Sequence, residues 1–443
     1  MNNELKRRIF SRSCRTPFSQ ANPLDPSKDV FGKKWGIELA THALIDMFDN
    51  RLPKKGSSLK RENVSEVLVG SSLLQHENGT MGGRIPMFMA KFPFNVPAIV
   101  FDKQDGSGMV TLQVGFANIA MGYSDTVVSV GFDHSTRVPI HSFDGKVKVF
   151  GMPPDKLMLD RNNRWYNDDL YDWKTSRLTF QTAQKLAEEE ADNVTKEAMD
   201  KFGTRSQNLA EKALESGYFQ EEILSITGHK EGEPDVEIKI SEDQSIQKGK
   251  ALQEIANMPS ISIPGWAGGY KNPLLSKEQY TAKFGTEEGI ITTGNSSPMN
   301  SGASVCLLMS KNAMEEYNLK PIAKITSVGY AGVDPTVMGR GIIPASQKAL
   351  HHAGLQVKDI DFFEFNESSC IDVLNAMNKL GIEEAQVNIH GGATAIGNPP
   401  SASGLRITAT LARILKEKKA TYGLAAIPCT GGQGTAVIIE NVD

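Results

Sequence analysis

Two apolar periods take turns along this chain. Short apolar runs or two-residue alternation mark strands, and a three-to-four-residue recurrence marks helices. The first block reads as a strand over 7–15, an amphipathic helix over 33–48 with Leu39, Ala43, Ile45 and Met47 among its apolar positions, and a buried strand over 64–69 closed by Gly70. A helix over 82–91, a strand over 97–101, a sharp turn at 102–108, an apolar helix over 109–121 and a strand over 126–130 follow. From about 134 to 285 the character changes. Charge rises, strand signals thin out, one long helical block runs over 182–216, and the charged stretch 231–250 reads as a solvated excursion. The alternation resumes with strands at 289–293, 303–309, 360–365, 386–389 and 422–427 and helices at 344–353, 371–380 and 405–418. Such alternation on both sides of an insertion predicts stacked α/β layers.

Two glycine-rich turns punctuate the last block. In the first, NIHGGATAIGNPPSASG at 388–404, Gly391, Gly392 and Gly397 permit backbone angles closed to other residues, hence a sharp turn and close approach to a ligand. Ser401 or Ser403 is placed to cap the helix that follows. The second, CTGGQG at 429–434, comes one strand later. Segment 100–130 reads strand, turn with Ser107-Gly108, apolar helix, strand, and segment 389–427 repeats that order with Ser403-Gly404. An internal duplication is the economical explanation. It sets Asp105, Asn398 and the loop after Phe365 at corresponding strand ends or helix starts, where open α/β sheets bind ligands.

At 443 residues the chain exceeds one small core and predicts two to four units. A net charge of −4 argues against nucleic acid as the main partner, while leaving room for a local basic patch for a phosphorylated ligand. No run approaches the ~20 apolar residues that span a bilayer, and the opening MNNELKRRIFSRSCRTPF lacks the apolar stretch of a secretory signal. Four cysteines, Cys14, Cys306, Cys370 and Cys429, make no disulfide framework in so long a chain, so a cytoplasmic location is expected. No paired His or Cys stands at zinc-ligand intervals, so no metal is expected. His390 reads as structural and His351 and His352 as surface residues, while His134 and His141 are candidates for ligand contact at the entry to the insertion.

The stretches GIITTGNSSPMNSGASVCLLMS, GVDPTVMGRGIIPASQKALHHAGL, DIDFFEFNESSC, NIHGGATAIGNPPSASGLRI and YGLAAIPCTGGQGTAVIIE, in that order, closely resemble the thiolase family, which joins or cleaves acyl-coenzyme A thioesters. The likeness runs over essentially the whole chain. It implies a thiolase fold, two duplicated βαβαβαββ halves in five αβαβα layers with an inserted loop domain over the coenzyme site. Residues 1–133, completed by about 285–318, would form the N-terminal half, 134–284 the loop domain and 319–443 the C-terminal half. The length and the stretch FDHSTRVPIHS are most like the β-subunits of fatty-acid oxidation complexes. That resemblance implies a homodimer or homotetramer, a hydratase/dehydrogenase subunit as a candidate partner, acyl-CoA or CoA as ligand, and no permanently bound cofactor beyond the coenzyme A thioester substrate.

The family's chemistry, as the resemblance implies it, uses a cysteine nucleophile at a helix start, a Gly-His-Pro histidine that activates it, an Asn or His that holds a water in an oxyanion hole, and an acid/base cysteine in Cys-x-Gly-Gly. Cys429 matches the acid/base cysteine, and Asn366 in Asn366-Glu367-Ser368-Ser369 matches the water-binding position. Asn398, in Gly397-Asn398-Pro399-Pro400, stands where the histidine belongs. Asp105, within DKQDGSG at 102–108, stands where a motif like N-K-x-C-G-S-G has its nucleophile. A carboxylate at a helix start is stabilised as an anion and so is a weak nucleophile, and its attack on a thioester would give a less stable mixed anhydride. The expected protein therefore acts on acyl-CoA or 3-ketoacyl-CoA thioesters without a covalent cysteine acyl-enzyme. A non-catalytic homologue serving as subunit or acyl-CoA binder, and a retro-aldol or decarboxylating enzyme, are the alternatives. Cys370, just beyond the Asn366 motif, reads as a small core residue. Ser297 matches a serine that contacts the pantetheine arm, LTFQTAQ at 178–184 lacks the His and Met of H-M-G-x-T-A-E, and Ser368 and Ser369 make the pocket floor more polar.

Overall fold

In the computed structural model, which describes residues 8–138 apart from 73 and 75–77, residues 172–176 and residues 178–442, the alternation becomes one long folded sheet. The strands are β1 (Arg8–Arg15), β2 (Ser19–Gln20), β3 (Glu66–Gly70), β4 (Ala98–Phe101), β5 (Thr126–His134), β6 (Ile226–Lys230), β7 (Glu233–Ile240), β8 (Asn300–Ser310), β9 (Ala323–Gly332), β10 (Phe362–Phe365), β11 (Tyr422–Cys429) and β12 (Gln433–Asn441). Their order is β10-β11-β12-β9-β1-β8-β5-β3-β4, with β2 paired to β8 and β6-β7 forming a separate hairpin. Each half has the same grammar. In the first, β4, β3 and β5 are parallel and β8 and β1 follow antiparallel. In the second, β10 and β11 are parallel and β12 and β9 follow antiparallel. The halves join through two residue pairs of β1 and β9, Ile9↔Lys324 and Phe10↔Ala323.

Burial explains the layering. Along β5, Val127 packs into a central core while Val128 and Val130 pack into an outer one, so successive residues are buried on opposite faces. The central core gathers Met109 and Leu112 of the Ser107–Met121 helix and Leu405, Leu411 and Leu415 of the Pro400–Lys418 helix, between Leu68 and Leu308 of one half and Ile427 and Val437 of the other. Outside, the Gly36–Asp46 helix covers the first half, and the Ile342–Ala353 and Cys370–Leu380 helices cover the second. The result is five layers, αβαβα. Among the described residues no helix is long and apolar enough to cross a membrane.

Several expectations from the pattern are corrected. The helical block at 182–216 is two helices, Thr179–Glu189 and Lys196–Glu215, the second capped by Thr195. The stretch 231–250 is no excursion at its start, because β6 and β7 pair across a turn at Gly232 (φ 74°). Its Val236 and Ile238 alternate with charged residues and stay exposed, so high charge masked a strand period. Segment 289–293 forms no strand and touches Ser260 by a single bridge at Thr292. The predicted strand 386–389 shrinks to one bridge between Val387 and Phe363, in the place that corresponds to β4. β9 and β12 were not anticipated. Ser401 and Ser403 lie inside the helix rather than at its cap, which is Pro399.

Candidate active site

The first functional turn follows β4. Asp102 Oδ1 accepts from the Gln104 N–H at 2.9 Å, and Ser107 Oγ accepts from the Lys103 N–H at 2.8 Å while donating to the Gln104 carbonyl at 2.6 Å. These local bonds fold Gln104–Gly106 into one 3-10 turn ahead of the Ser107–Met121 helix. Asp105 is thereby turned inward and is 6% exposed. Its Oδ2 accepts from both the N–H (2.9 Å) and the Oγ1 (2.8 Å) of Thr430, just past the end of β11. Cys429 is the neighbouring buried residue. A Cβ on Gly106 would lie 2.6 Å from Cys429 Sγ, so the absence of a side chain lets the turn approach the thiol.

Electrostatics follow from this burial. Helix-start stabilisation would hold the Asp105 carboxyl low, yet desolvation raises it, against the two bonds from Thr430 that pull it down. The Cys429 thiol is pushed well above its ordinary value by burial first and by the Asp105 carboxylate second, with Lys103 opposing. Lys103 Nζ bonds Gln433 Oε1 and sits 5.7 Å from the Tyr330 ring. The pair is thus a carboxylate of enhanced basicity beside a thiol that stays protonated at neutral pH.

The second cluster is neutral. Asn366 leaves the end of β10 with its N–H on the Ala426 carbonyl of β11 at 2.9 Å. Its Nδ2 donates to Asn398 Oδ1 at 3.3 Å and to Ser368 Oγ at 3.2 Å, and its Oδ1 is buried with no hydrogen-bond partner among the described residues. Asn398 is held from four directions. Its N–H donates to Asn300 Oδ1 (2.8 Å), its Nδ2 donates to Ser297 Oγ (3.2 Å), and its Oδ1 accepts from Ser403 Oγ (2.7 Å) as well as from Asn366. Ser297 Oγ in turn donates to the Ser368 carbonyl at 3.3 Å. Asn366, Asn398 and Ser297 therefore form one connected amide–hydroxyl lattice. The Asn366 N–H is anchored at Ala426, three residues before Cys429 on β11, so one strand carries the attachment of the lattice and the thiol of the first cluster.

Two buried carboxylates, neither singled out by motif, hold the clusters in register. Asp133 Oδ1 accepts from Ser71 Oγ and the Ser72 N–H, both at 3.0 Å, and its Oδ2 accepts from the Ser401 N–H at 2.7 Å. It ties the first half to the start of the Pro400–Lys418 helix. Glu367 accepts from Ser206 Oγ, Asn388 Nδ2 and the Thr394 N–H at 2.7–3.0 Å. A Cβ on Gly392 would lie 2.1 Å from Glu367 Oε1, so the glycine expected to approach a ligand instead makes room for this carboxylate. Thr430 and Asp133 escape the sequence reading, and Ser403 stands there as a helix cap rather than as a partner of Asn398, because nothing but packing relates them to their partners.

The remaining candidates are structural. His134 is buried, with Nε2 against the Phe31 carbonyl (3.1 Å) and Nδ1 against Ser301 Oγ (3.0 Å), while His141 lies outside the described residues. His390 stacks on Tyr218 at 3.9 Å and meets Glu417, and His351 and His352 are exposed. Cys370 is buried against Thr394, and Cys14 and Cys306 lie in the cores. In the 178–184 segment, Gln181 and Gln184 bond the 262–263 backbone and side chain.

A family model described as the thiolase N-terminal domain matches residues 18–265, and one described as the thiolase C-terminal domain matches residues 319–441. A 3-ketoacyl-CoA thiolase of Saccharophagus degradans is 32% identical over 393 residues, covering 88% of this chain and 89% of its own. An acetyl-CoA acetyltransferase of Cupriavidus necator is 32% identical over 385 residues, covering 87% and 89%. The crystal structure of the Bacillus anthracis acetyl-CoA acetyltransferase superposes with a TM-score of 0.77 at 24% identity, covering all of both chains.

Proposed function

Because the chain belongs to the thiolase family, we propose that it acts on acyl-CoA or 3-ketoacyl-CoA thioesters by proton transfer, without a covalent cysteine acyl-enzyme. The observation that carries this reading is the Asp105 carboxylate at the head of the Ser107–Met121 helix, bonded to Thr430 and set against the Cys429 thiol. In this reading Asp105 is the general base and Cys429 the acid, Asn366 and Asn398 turn their amide N–H groups from Ser368 and Ser297 toward the thioester carbonyl, and Ser297 meets the pantetheine arm. Retro-aldol cleavage of a 3-hydroxyacyl thioester needs no more than these groups. Asp105 takes the hydroxyl proton, the C2–C3 bond breaks to leave a carbonyl compound and a thioester enolate, Cys429 protonates C2, and the proton on Asp105 passes to the thiolate. Assembly as a homodimer through the outer edge of β4 belongs to the same proposal. Among the described residues that strand pairs with β3 alone, Ile99 on it is half-exposed, and nearby Phe94 is 87% exposed. Light scattering at micromolar concentration is expected to report a dimer or larger.

The test is intact-mass analysis after incubation with acetyl-CoA. Wild-type protein is expected to gain no acetyl group, whereas Asp105→Cys with Asn398→His gains one, because a thiol and its activating base return together. A stable acetyl adduct on wild-type protein, mapped to Cys429 or Cys370, would falsify the reading. Binding of CoA thioesters without turnover would favour a non-catalytic acyl-CoA binder, and no binding at all would favour a non-catalytic subunit.

A further inference from the structure

We propose that a basic groove remote from the cleft is a binding site for a small ligand carrying two or more phosphates. The groove is open to solvent, has a volume of about 900 Å³ and is lined in part by Arg413, near the end of the Pro400–Lys418 helix. Ser403, which holds Asn398, sits about 15 Å back along that helix at ~1.5 Å per residue. The groove and the cleft therefore lie toward opposite ends of the central layer. Seven of the lining side chains are Lys or Arg and two, Asp46 and Glu221, are acidic, in a chain whose net charge is −4. So strong a local excess of positive charge in an acidic protein concentrates anions where it occurs.

The cations are of two kinds. Three guanidinium groups form a fixed wall. Arg51 is tied to Asp46 and to the Glu221 and Glu222 carbonyls. Arg12 donates to the Ser11 and Lys320 carbonyls at 2.6 and 3.1 Å, and its Nε is buried with no hydrogen-bond partner among the described residues. Arg413 meets the Glu222 carboxylate at 3.0 Å and lies 4.0 Å over the Tyr218 ring. Lys54, Lys55 and Lys320 are exposed at the rim, and none of them has a carboxylate within ion-pair distance among the described residues. Held guanidinium groups offer donors already ordered for bidentate oxyanions, and free ammonium groups add charge. Ile223, Leu224 and Ile322 give the groove an apolar component. With Arg51 paired to Asp46 and Arg413 to Glu222, one carboxylate would still leave most of Arg12, Lys54, Lys55 and Lys320 unneutralised, and a groove of this volume suits a small molecule rather than a flat protein face.

Isothermal titration of the full chain at low ionic strength with sodium tripolyphosphate, and separately with ATP, tests this. Saturable one-to-one binding is expected, weakening as salt is raised. The triple change Lys54→Ala, Lys55→Ala and Lys320→Ala should weaken it roughly tenfold or more. Lys201→Ala, Lys283→Ala and Lys348→Ala, which remove as much charge from other surfaces, should leave it unchanged, with melting temperatures confirming that both triples fold. Tighter binding of ATP identifies a nucleotide as the ligand, and equal binding identifies the phosphates alone. The proposal is overturned if neither probe saturates the protein, if the groove triple binds like wild type, or if both triples weaken binding equally.

Discussion

Two turns of the same backbone grammar end in opposite chemistry. The turn after β4 delivers Asp105 into a buried place beside a thiol, where one negative charge is shared with Thr430 and resisted by desolvation. The corresponding turn before the Pro400–Lys418 helix delivers Asn398 into a lattice of neutral amides and hydroxyls in which its N–H and both side-chain polar atoms have partners. The first side carries titratable groups of high proton affinity, Asp105 and the nearby Cys429 thiol, on which the charge of Asp105 acts. The second can only orient a proton, because an amide does not titrate. In the proposed reaction a 3-hydroxyacyl thioester placed between them would have its carbonyl polarised from one side and its hydroxyl deprotonated from the other. The duplication thus supplies two equivalent positions, and the division of labour comes from what each side chain meets there.

The largest expected effect comes from erasing the difference. Asp105→Asn makes both sides neutral, and turnover of a CoA thioester should fall by about 10²–10⁴-fold in steady-state assays. Wild-type kcat/KM should also fall as pH drops through the raised Asp105 pKa, since protonation removes the base, and the Asn variant should lack that limb. Full activity in the variant would remove Asp105 from the chemistry. Next in size is forcing the two turns apart. A Cβ on Gly108 would lie 1.9 Å from the Ser401 carbonyl oxygen, so Gly108→Ala should cost about 2–3 kcal/mol in denaturant unfolding. An unchanged midpoint would mean the two helix starts are not in contact.

A smaller effect tests the charge that surrounds the pair. Asp372, behind the Asn366 loop, accepts from the Ser369 N–H at 3.0 Å, and burial, with Asp105 adding to it, pushes its carboxyl up to about 7. A folded pKa above the unfolded one means that its stabilising contribution is complete below about pH 4 and is lost as pH rises through 7. Asp133 and Glu364, raised to about 6 and about 8 by burial, slope the same way. Asp372→Asn should therefore flatten part of the decline of stability with pH and leave the protein more stable than wild type at pH 8 by on the order of 1 kcal/mol. Identical pH–stability curves would contradict this. The smallest change is Thr430→Val, which deletes the Oγ1 bond to Asp105 and keeps the backbone one. The carboxyl should rise further, so the acid limb of kcat/KM moves to higher pH with little change in melting temperature. A limb that moves to lower pH would reverse the role assigned to that hydroxyl.

Local pattern was most legible where one period persists and both neighbours agree with it. The helices at Ser107–Met121 and Pro400–Lys418 and the strands β3, β5 and β11 stood out because their apolar runs are long and end in glycine or a turn. The β6–β7 hairpin did not, since its apolar positions alternate with charges and one face stays in water. The reverse holds at 386–389, where strand-like residues pair, among the described residues, through the single bridge of Val387 to Phe363.

By itself, then, the sequence determined the alternation, the doubled order of turns and helices, and the set of residues around which a site is argued, because periodicity and turn chemistry are written in neighbouring positions. Only the tertiary structure decided what those residues are to one another. That Asp105 meets Thr430 across 325 positions, that Asn398 is pinned by Ser297, Ser403 and Asn366, and that scattered lysines and arginines collect in one groove are consequences of packing. Burial set the sign of the Asp105 shift, against the helix-start expectation, because desolvation depends on every layer that closes over the group and not on the turn that carries it.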